Sequence, residues 1–141
     1  MAALNFTAFT STHKDILEAC NLATDTLKLM LTNTAPIAAN AVKADITEIA
    51  AGNGYTAGGY TLSGLTGAYA SGLYVRKAGN IAITASGGDI GPFRYAVIYD
   101  DTVASPVKPL LAWADFGAAT TVTNGGAAAN IDLSTTGFLK S

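Results

Sequence analysis

The second half of this chain is a succession of short stretches in which apolar and polar residues alternate, each closed off by turn-forming residues. The stretches cover residues 73–77, 80–84, 93–99 and 110–116, and Gly, Asn, Asp and Pro fill the gaps between them. Alternation at a period of two sends successive side chains to opposite faces of a pleated strand. Several such strands in close sequence, with turn signals between them, specify an antiparallel β-sandwich or barrel. None of these stretches carries a catalytic constellation. The first expectation is therefore a structural or binding module and not an enzyme.

Composition bears on the surface of such a fold. With 141 residues the chain fits one domain, residues 1–141, which can bury about two-thirds of its unfolded surface. Half of the residues are hydrophobic, yet aromatics reach only 9% and charged residues only 13%, against about 25% charged in an average domain. Thr, Ser, Asn, Gly and Ala must then cover much of the outside. A surface of that kind suits broad, close contacts, because few charges lose their water when a partner docks.

A net charge of −2 excludes the basic patch that nucleic-acid binding requires, and Arg76-Lys77 is the only adjacent basic pair. No apolar run is long enough for a membrane span. The first residues, Met1 to Phe6, lack a basic region followed by an apolar one, so no signal peptide is expected. Cys20 is the only cysteine and cannot form an internal disulfide, which fits folding in a reducing cytoplasm. Beside Ile16, Ala19 and Leu22 it reads as a small core residue.

Along the chain, residues 1–11 read as an extended N-terminal arm or first strand, with Leu4, Phe6 and Phe9 set among polar residues. Thr12 reads as an N-cap, with Asp15 three residues on, and Ile16, Leu17 and Cys20 as the stripe of a short helix over 13–21. Leu27, Leu29 and Leu31 alternate within a strand over 26–32. A loop over 33–43 leads to a second short helix over 44–51, with Ile46 and Ile49 three apart and Gly52 at its end. The glycine-rich segment 52–59 follows and reads as a mobile or interface-ordered loop. Near the end, Asn124-Gly125-Gly126 reads as a hairpin turn between strands at 120–123 and 128–133, with a tail at 137–139.

The chemical candidates are few. Segment 52–59 contains no Lys and follows a helix signal where a phosphate loop would follow a strand, so a phosphate cradle is not expected. Asp100-Asp101 is the only adjacent carboxylate pair and reads as a polar turn, without the further oxygen ligands that calcium wants. His13 is the only histidine and reads as a solvated side chain. Trp113 reads as core or subunit contact. No cofactor and no metal are expected.

Three longer stretches carry a resemblance. They are Asp25-Thr-Leu-Lys-Leu-Met-Leu-Thr-Asn-Thr-Ala-Pro36, Ala44-Asp-Ile-Thr-Glu-Ile-Ala-Ala-Gly-Asn-Gly-Tyr-Thr-Ala-Gly-Gly59, and Thr84-Ala-Ser-Gly-Gly-Asp-Ile-Gly-Pro-Phe-Arg-Tyr-Ala-Val-Ile-Tyr-Asp-Asp-Thr102 with the following Leu111-Ala-Trp-Ala-Asp-Phe-Gly117. Together they resemble small structural proteins of tailed bacteriophages, most of all the capsid cement (decoration) proteins of short-tailed phages. The resemblance runs from about residue 25 to the end. It implies a β-sandwich of jelly-roll type on the outer surface of the virion head. It also implies the major capsid protein as partner, and a homodimer that bridges neighbouring capsomers.

The residues expected at a capsid or dimer interface are Phe6 and Phe9 of the arm, Tyr55 and Tyr60 of the glycine-rich segment, and Leu65, Tyr69 and Tyr74 of the apolar stretch 64–74. An extended arm can add a strand to a partner sheet, and tyrosines anchor contacts at small entropic cost. Internal packing is the plainer alternative for each. A head–tail or tail structural protein and a glycan-binding virion module stay open as other functions.

Overall fold

Alternation in the sequence becomes strand pairing in the computed structural model, which describes residues 5–135 and 137–140. In chain order the elements are β1 (Thr7–Ala8), α1 (Thr12–Glu18), β2 (Leu27–Thr32), β3 (Tyr60–Thr61) and β4 (Thr66–Ala70). They continue with β5 (Leu73–Lys77), β6 (Ile81–Ile83), β7 (Ile90–Asp100), β8 (Leu110–Val122), β9 (Ala129–Ile131) and β10 (Leu139–Lys140). The protein is mainly β, and every strand pairing among the described residues is antiparallel. A five-stranded sheet has the order β1-β8-β7-β2-β3, a three-stranded sheet β10-β5-β4, and β6 pairs with β9.

Strand β2 shows how the core is made. Leu27, Leu29 and Leu31 face a large cluster that takes in Ile98 and Leu111 of the same sheet, Ile83 and Ile131 of β6 and β9, and Leu139 of β10. One face of the large sheet and the two small sheets thus share a core. Met30 points the other way, into a second cluster with Phe9, Val97, Tyr99 and Leu110, flanked by Ile46 and Trp113. Each fully buried aliphatic side chain contributes about 1.5–3 kcal/mol, so a strand buried on both faces is strongly fixed in register. Strand β8 runs longer than the alternation suggests. It carries extra residues between Asp115, opposite Tyr95, and Thr120, opposite Phe93, and this bulge joins the stretches at 110–116 and 120–123 into one bent strand.

Several expectations are corrected. Of the two readings of residues 1–11 the first strand is the one found: Thr7 and Ala8 pair with Trp113 and Ala112 at the edge of the protein's own sheet. Its first four residues, Leu4 among them, lie outside the described residues. Thr12 is not the N-cap. It lies within α1, where its hydroxyl accepts the Phe9 N–H at 3.1 Å and donates to the Leu111 carbonyl at 2.9 Å. Leu17 is 83% exposed, so only Ile16 and Cys20 of the expected stripe pack on the core.

The second helix is replaced by a 3-10 turn at Lys43–Asp45, where the Asp45 carboxylate accepts the N–H groups of Ala41 and Val42. Beyond it the chain lies alongside β2, with Glu48 bridged to Thr32 and the Ile49 N–H donating to the Leu31 carbonyl. Ile46 and Ile49 enter different clusters on opposite faces of the sheet, which an extended chain allows and one face of a helix does not. The hairpin at 124–126 is likewise absent among the described residues. Asn124 bonds to the 87–89 loop through Asp89 Oδ1 and the Gly87 N–H, and that directs the chain to β6 instead of back onto β8.

Candidate functional site

The feature that stands out from this frame is the β4–β5 hairpin. Ala70 pairs with Leu73 across a two-residue turn in which Ser71 and Gly72 both have positive φ, 51° and 80°, as a tight hairpin with the right-handed strand twist requires. All five residues of β4 are exposed, and β4 is the outer strand of its sheet. Tyr69 is 82% exposed and Leu73 46%. The strand Thr66-Gly67-Ala68-Tyr69-Ala70 carries no charge, so its outer backbone edge lacks the lysines or prolines that commonly block pairing with another chain.

The base of the hairpin is fixed to the body. Leu65 is half-buried against the main core, and Phe138 donates its N–H to the Arg76 carbonyl. Arg76 Nη2 donates to the Leu22 carbonyl at 2.6 Å, while Nη1 reaches the Tyr74 hydroxyl at 3.4 Å. Tyr74 and Tyr69 meet edge to face with ring centroids 5.6 Å apart. On that face Tyr74 lies over Gly67, where a Cβ would collide with the ring. The result is a rigid platform with one aromatic side chain raised above it.

The other expected contact residues turn inward. Phe9 is buried and its ring lies 4.7 Å from that of Trp113, centroid to centroid, while Phe6 is half-buried against the main core. Tyr55 is buried; its hydroxyl donates to Glu48 Oε2 at 2.6 Å and accepts the Leu31 N–H at 3.0 Å. Tyr60 is half-buried and meets Tyr55 edge to face. Burial raises both hydroxyls above the ordinary tyrosine range.

The glycine-rich segment lies as a strap against the large sheet. Glu48 Oε2 also accepts the Gly58 N–H, and the Tyr99 hydroxyl donates to the Gly58 carbonyl at 2.6 Å. Gly59 lies so close to β2 that any Cβ would collide with the Leu29 carbonyl, and its φ of 88° suits glycine alone.

The carboxylate pair divides. Asp101 is ion-paired to Lys108 and Lys28, and the Lys108 hydrogen bond holds its carboxyl below the usual range. Asp100 does open a polar turn, its Oδ1 accepting the Thr102 N–H, but it is fully buried. Burial first, and then the Asp25 carboxyl beside it, raises its pKa to about 6. Cys20 lies half-buried next to Asp100, and burial with that neighbouring carboxyl pushes its thiol up to about 12. A thiol held protonated in this way is a poor nucleophile. His13 is exposed on α1. Among the described residues no group of three or more His, Cys, Asp or Glu is placed to hold a metal ion, and no helix is long and apolar enough to cross a membrane.

No alternation marks Asp100, because β7 is buried at every position from Ala96 to Asp100, with Ala96 and Ile98 in the main cluster and Val97 and Tyr99 in the second. Compared with family models, curated proteins and solved structures, the chain matches none of them.

Proposed function

We propose that this chain is a structural virion protein of a tailed phage, a cement protein that binds the outside of the head and bridges neighbouring major capsid subunits. The exposed, uncharged β4–β5 hairpin with Tyr69 and Leu73 carries this reading. It offers an exposed strand edge and an apolar anchor on a base fixed to the body, the combination that strand addition and a central aromatic contact use. The low charge of the whole chain supports it, because docking against a shell then strips water from few charges. In this reading the three sheets form a sandwich of jelly-roll type, and the protein acts as a homodimer.

The mechanism is linkage. A clamp with affinity for the expanded shell, and little for dissociated subunits, stabilises the shell by mass action. Repetition over the lattice lets a modest affinity per contact suffice. A dimer adds two self-similar grips, one on each side of a two-fold axis.

The test is copy number per particle, by mass spectrometry of purified virions against the major capsid protein. A ratio near one, or a sizeable fraction of it, supports a shell cement. A dozen copies or fewer would assign the chain to the portal or tail and overturn the proposal.

A further inference from the structure

The interaction surface leaves the carboxyl group of Asp100 unused. Asp100 ends β7 opposite Leu27 with no exposed area, and its Oδ1 accepts the Thr102 N–H at 2.9 Å. Its Oδ2 is buried and has no hydrogen-bond partner among the described residues, and no Lys or Arg there forms an ion pair with it. Facing it are the Asp25 carboxyl and the Cys20 thiol. Both belong to the segment 19–26, which leaves α1 and returns as β2.

The surrounding charges give no relief. On α1, buried Asp15 adds negative potential near Cys20. Lys28 of β2 and Lys108 of the β7–β8 connection are engaged with Asp101, and Arg76 of β5 donates to the Leu22 carbonyl. Two ionised carboxylates hold only acceptor lone pairs, so they bind each other only with a proton between them. Asp25 is also the organiser of its own segment: Oδ2 accepts the Asn21 N–H at 2.8 Å, and its N–H donates to the Asn21 carbonyl. The segment is also tied to the body by the Arg76 bond to Leu22, by the Asp101 N–H to the Thr26 carbonyl at 2.8 Å, and by the Thr26 N–H to Thr102 Oγ1 at 2.8 Å, so the latch acts on its Asn21–Asp25 turn.

We propose that Asp100 keeps its carboxyl proton and donates it to the Asp25 carboxylate, so latching the 19–26 segment onto the end of the central sheet, and that loss of this proton loosens the segment. The native state then keeps a proton where an unfolded aspartate, with a pKa of about 3.9, has lost it. Stability of the closed segment therefore falls as pH rises through the raised value near 6. The latch is closed in weak acid and loosened above neutrality, and it does not depend on the virion reading.

Amide hydrogen exchange of residues 21–26 in the full chain, corrected for the intrinsic rate, tests this between pH 5 and pH 7.5. The opening constant should be roughly tenfold larger at pH 7.5, while amides of Val97 and Trp113 in β7 and β8 show no comparable change. Asp100→Asn supplies an amide donor to Asp25 without a proton and should abolish the pH dependence. Should that variant not fold, Asp25→Asn does the same from the opposite side. A flat opening constant in the wild type, or a variant with the wild-type pH dependence, would overturn the latch.

Discussion

Tyr74 occupies the space that a side chain on Gly67 would need, so ring and glycine interlock on one face of the β4–β5 hairpin. The interlock sets the direction of Tyr69, whose ring rests edge-on against Tyr74 and is otherwise in solvent. In the proposed role stability and docking are therefore separable, because Tyr69 contributes little to the core.

Tyr69→Ala should change the unfolding free energy by no more than about 0.5 kcal/mol, as surface substitutions generally do. Gly67→Val should cost about 1 kcal/mol, since the group it displaces is the free end of a half-buried side chain. Both should lower head occupancy several-fold in a binding assay with purified shells. Undiminished binding by both variants, with unchanged urea midpoints, would remove the hairpin from the contact surface.

The strap over β2 responds in the opposite way. Glu48 accepts hydrogen bonds from the Tyr55 hydroxyl and the Gly58 N–H and pairs with Lys43 at 3.4 Å, all largely out of water. Glu48→Ala leaves two donors unpaired and should cost about 2–4 kcal/mol in urea denaturation, at about 1–3 kcal/mol per buried donor with partial relaxation. Gly59→Ala should be worse, because backbone and not a flexible side chain stands in the way. A Gly59→Ala protein with wild-type stability would mean that the strap does not lie against β2.

The contrast between strap and hairpin marks how far the sequence could be read. Alternation located β2, β5 and the centres of β7 and β8, because a period of two survives wherever one face is buried. It did not separate Tyr55 from Tyr69. Both are tyrosines near glycines, and only the close approach of Gly59 to Leu29 of β2, a contact remote in sequence, puts one in the core. Ile46 and Ile49 misled for a related reason: a spacing of three fits a helix face, but here it spans the edge of a sheet between two clusters. Asp100 was hidden by its neighbour Asp101, which has the same chemistry and faces lysines instead of the core.

The arm belongs with the strap. Phe9 is buried in the second cluster against Met30, Val97 and Trp113, and β1 completes the edge of the large sheet. Phe9→Ala should cost about 3–5 kcal/mol, the usual range for emptying a core aromatic site. Deletion of residues 2–10 should then give a strongly destabilised protein, not a folded one that merely fails to decorate. A truncated chain with the wild-type melting temperature and poor capsid occupancy would instead show the arm to be dispensable for folding and used for docking.

Away from the latch, the acid side of the stability curve is set by carboxylates held below their ordinary range. Hydrogen bonds from Thr135 and Ser134 bring Asp132 down to about 2, and Lys108 and Lys28 lower Asp101. A depressed carboxylate contributes stability that is complete above its unfolded pKa, about 3.9, and is lost as pH falls through the folded value. The raised Asp100 contributes in the opposite direction, with stability lost as pH rises from about 3.9 through about 6. The two trends place the maximum of thermal stability in weak acid, between about pH 4 and 5. Replacing Lys108 by Met should remove most of the Asp101 share of the acid limb, keep the Asp132 share, and leave the limb above pH 5 in place, because Lys108 bonds to Asp101 and to neither Asp132 nor Asp100. Melting temperatures taken every half pH unit from 2.5 to 8 would check this, and a curve that rises steadily to pH 8 would contradict the assignment of the limb above pH 5 to Asp100.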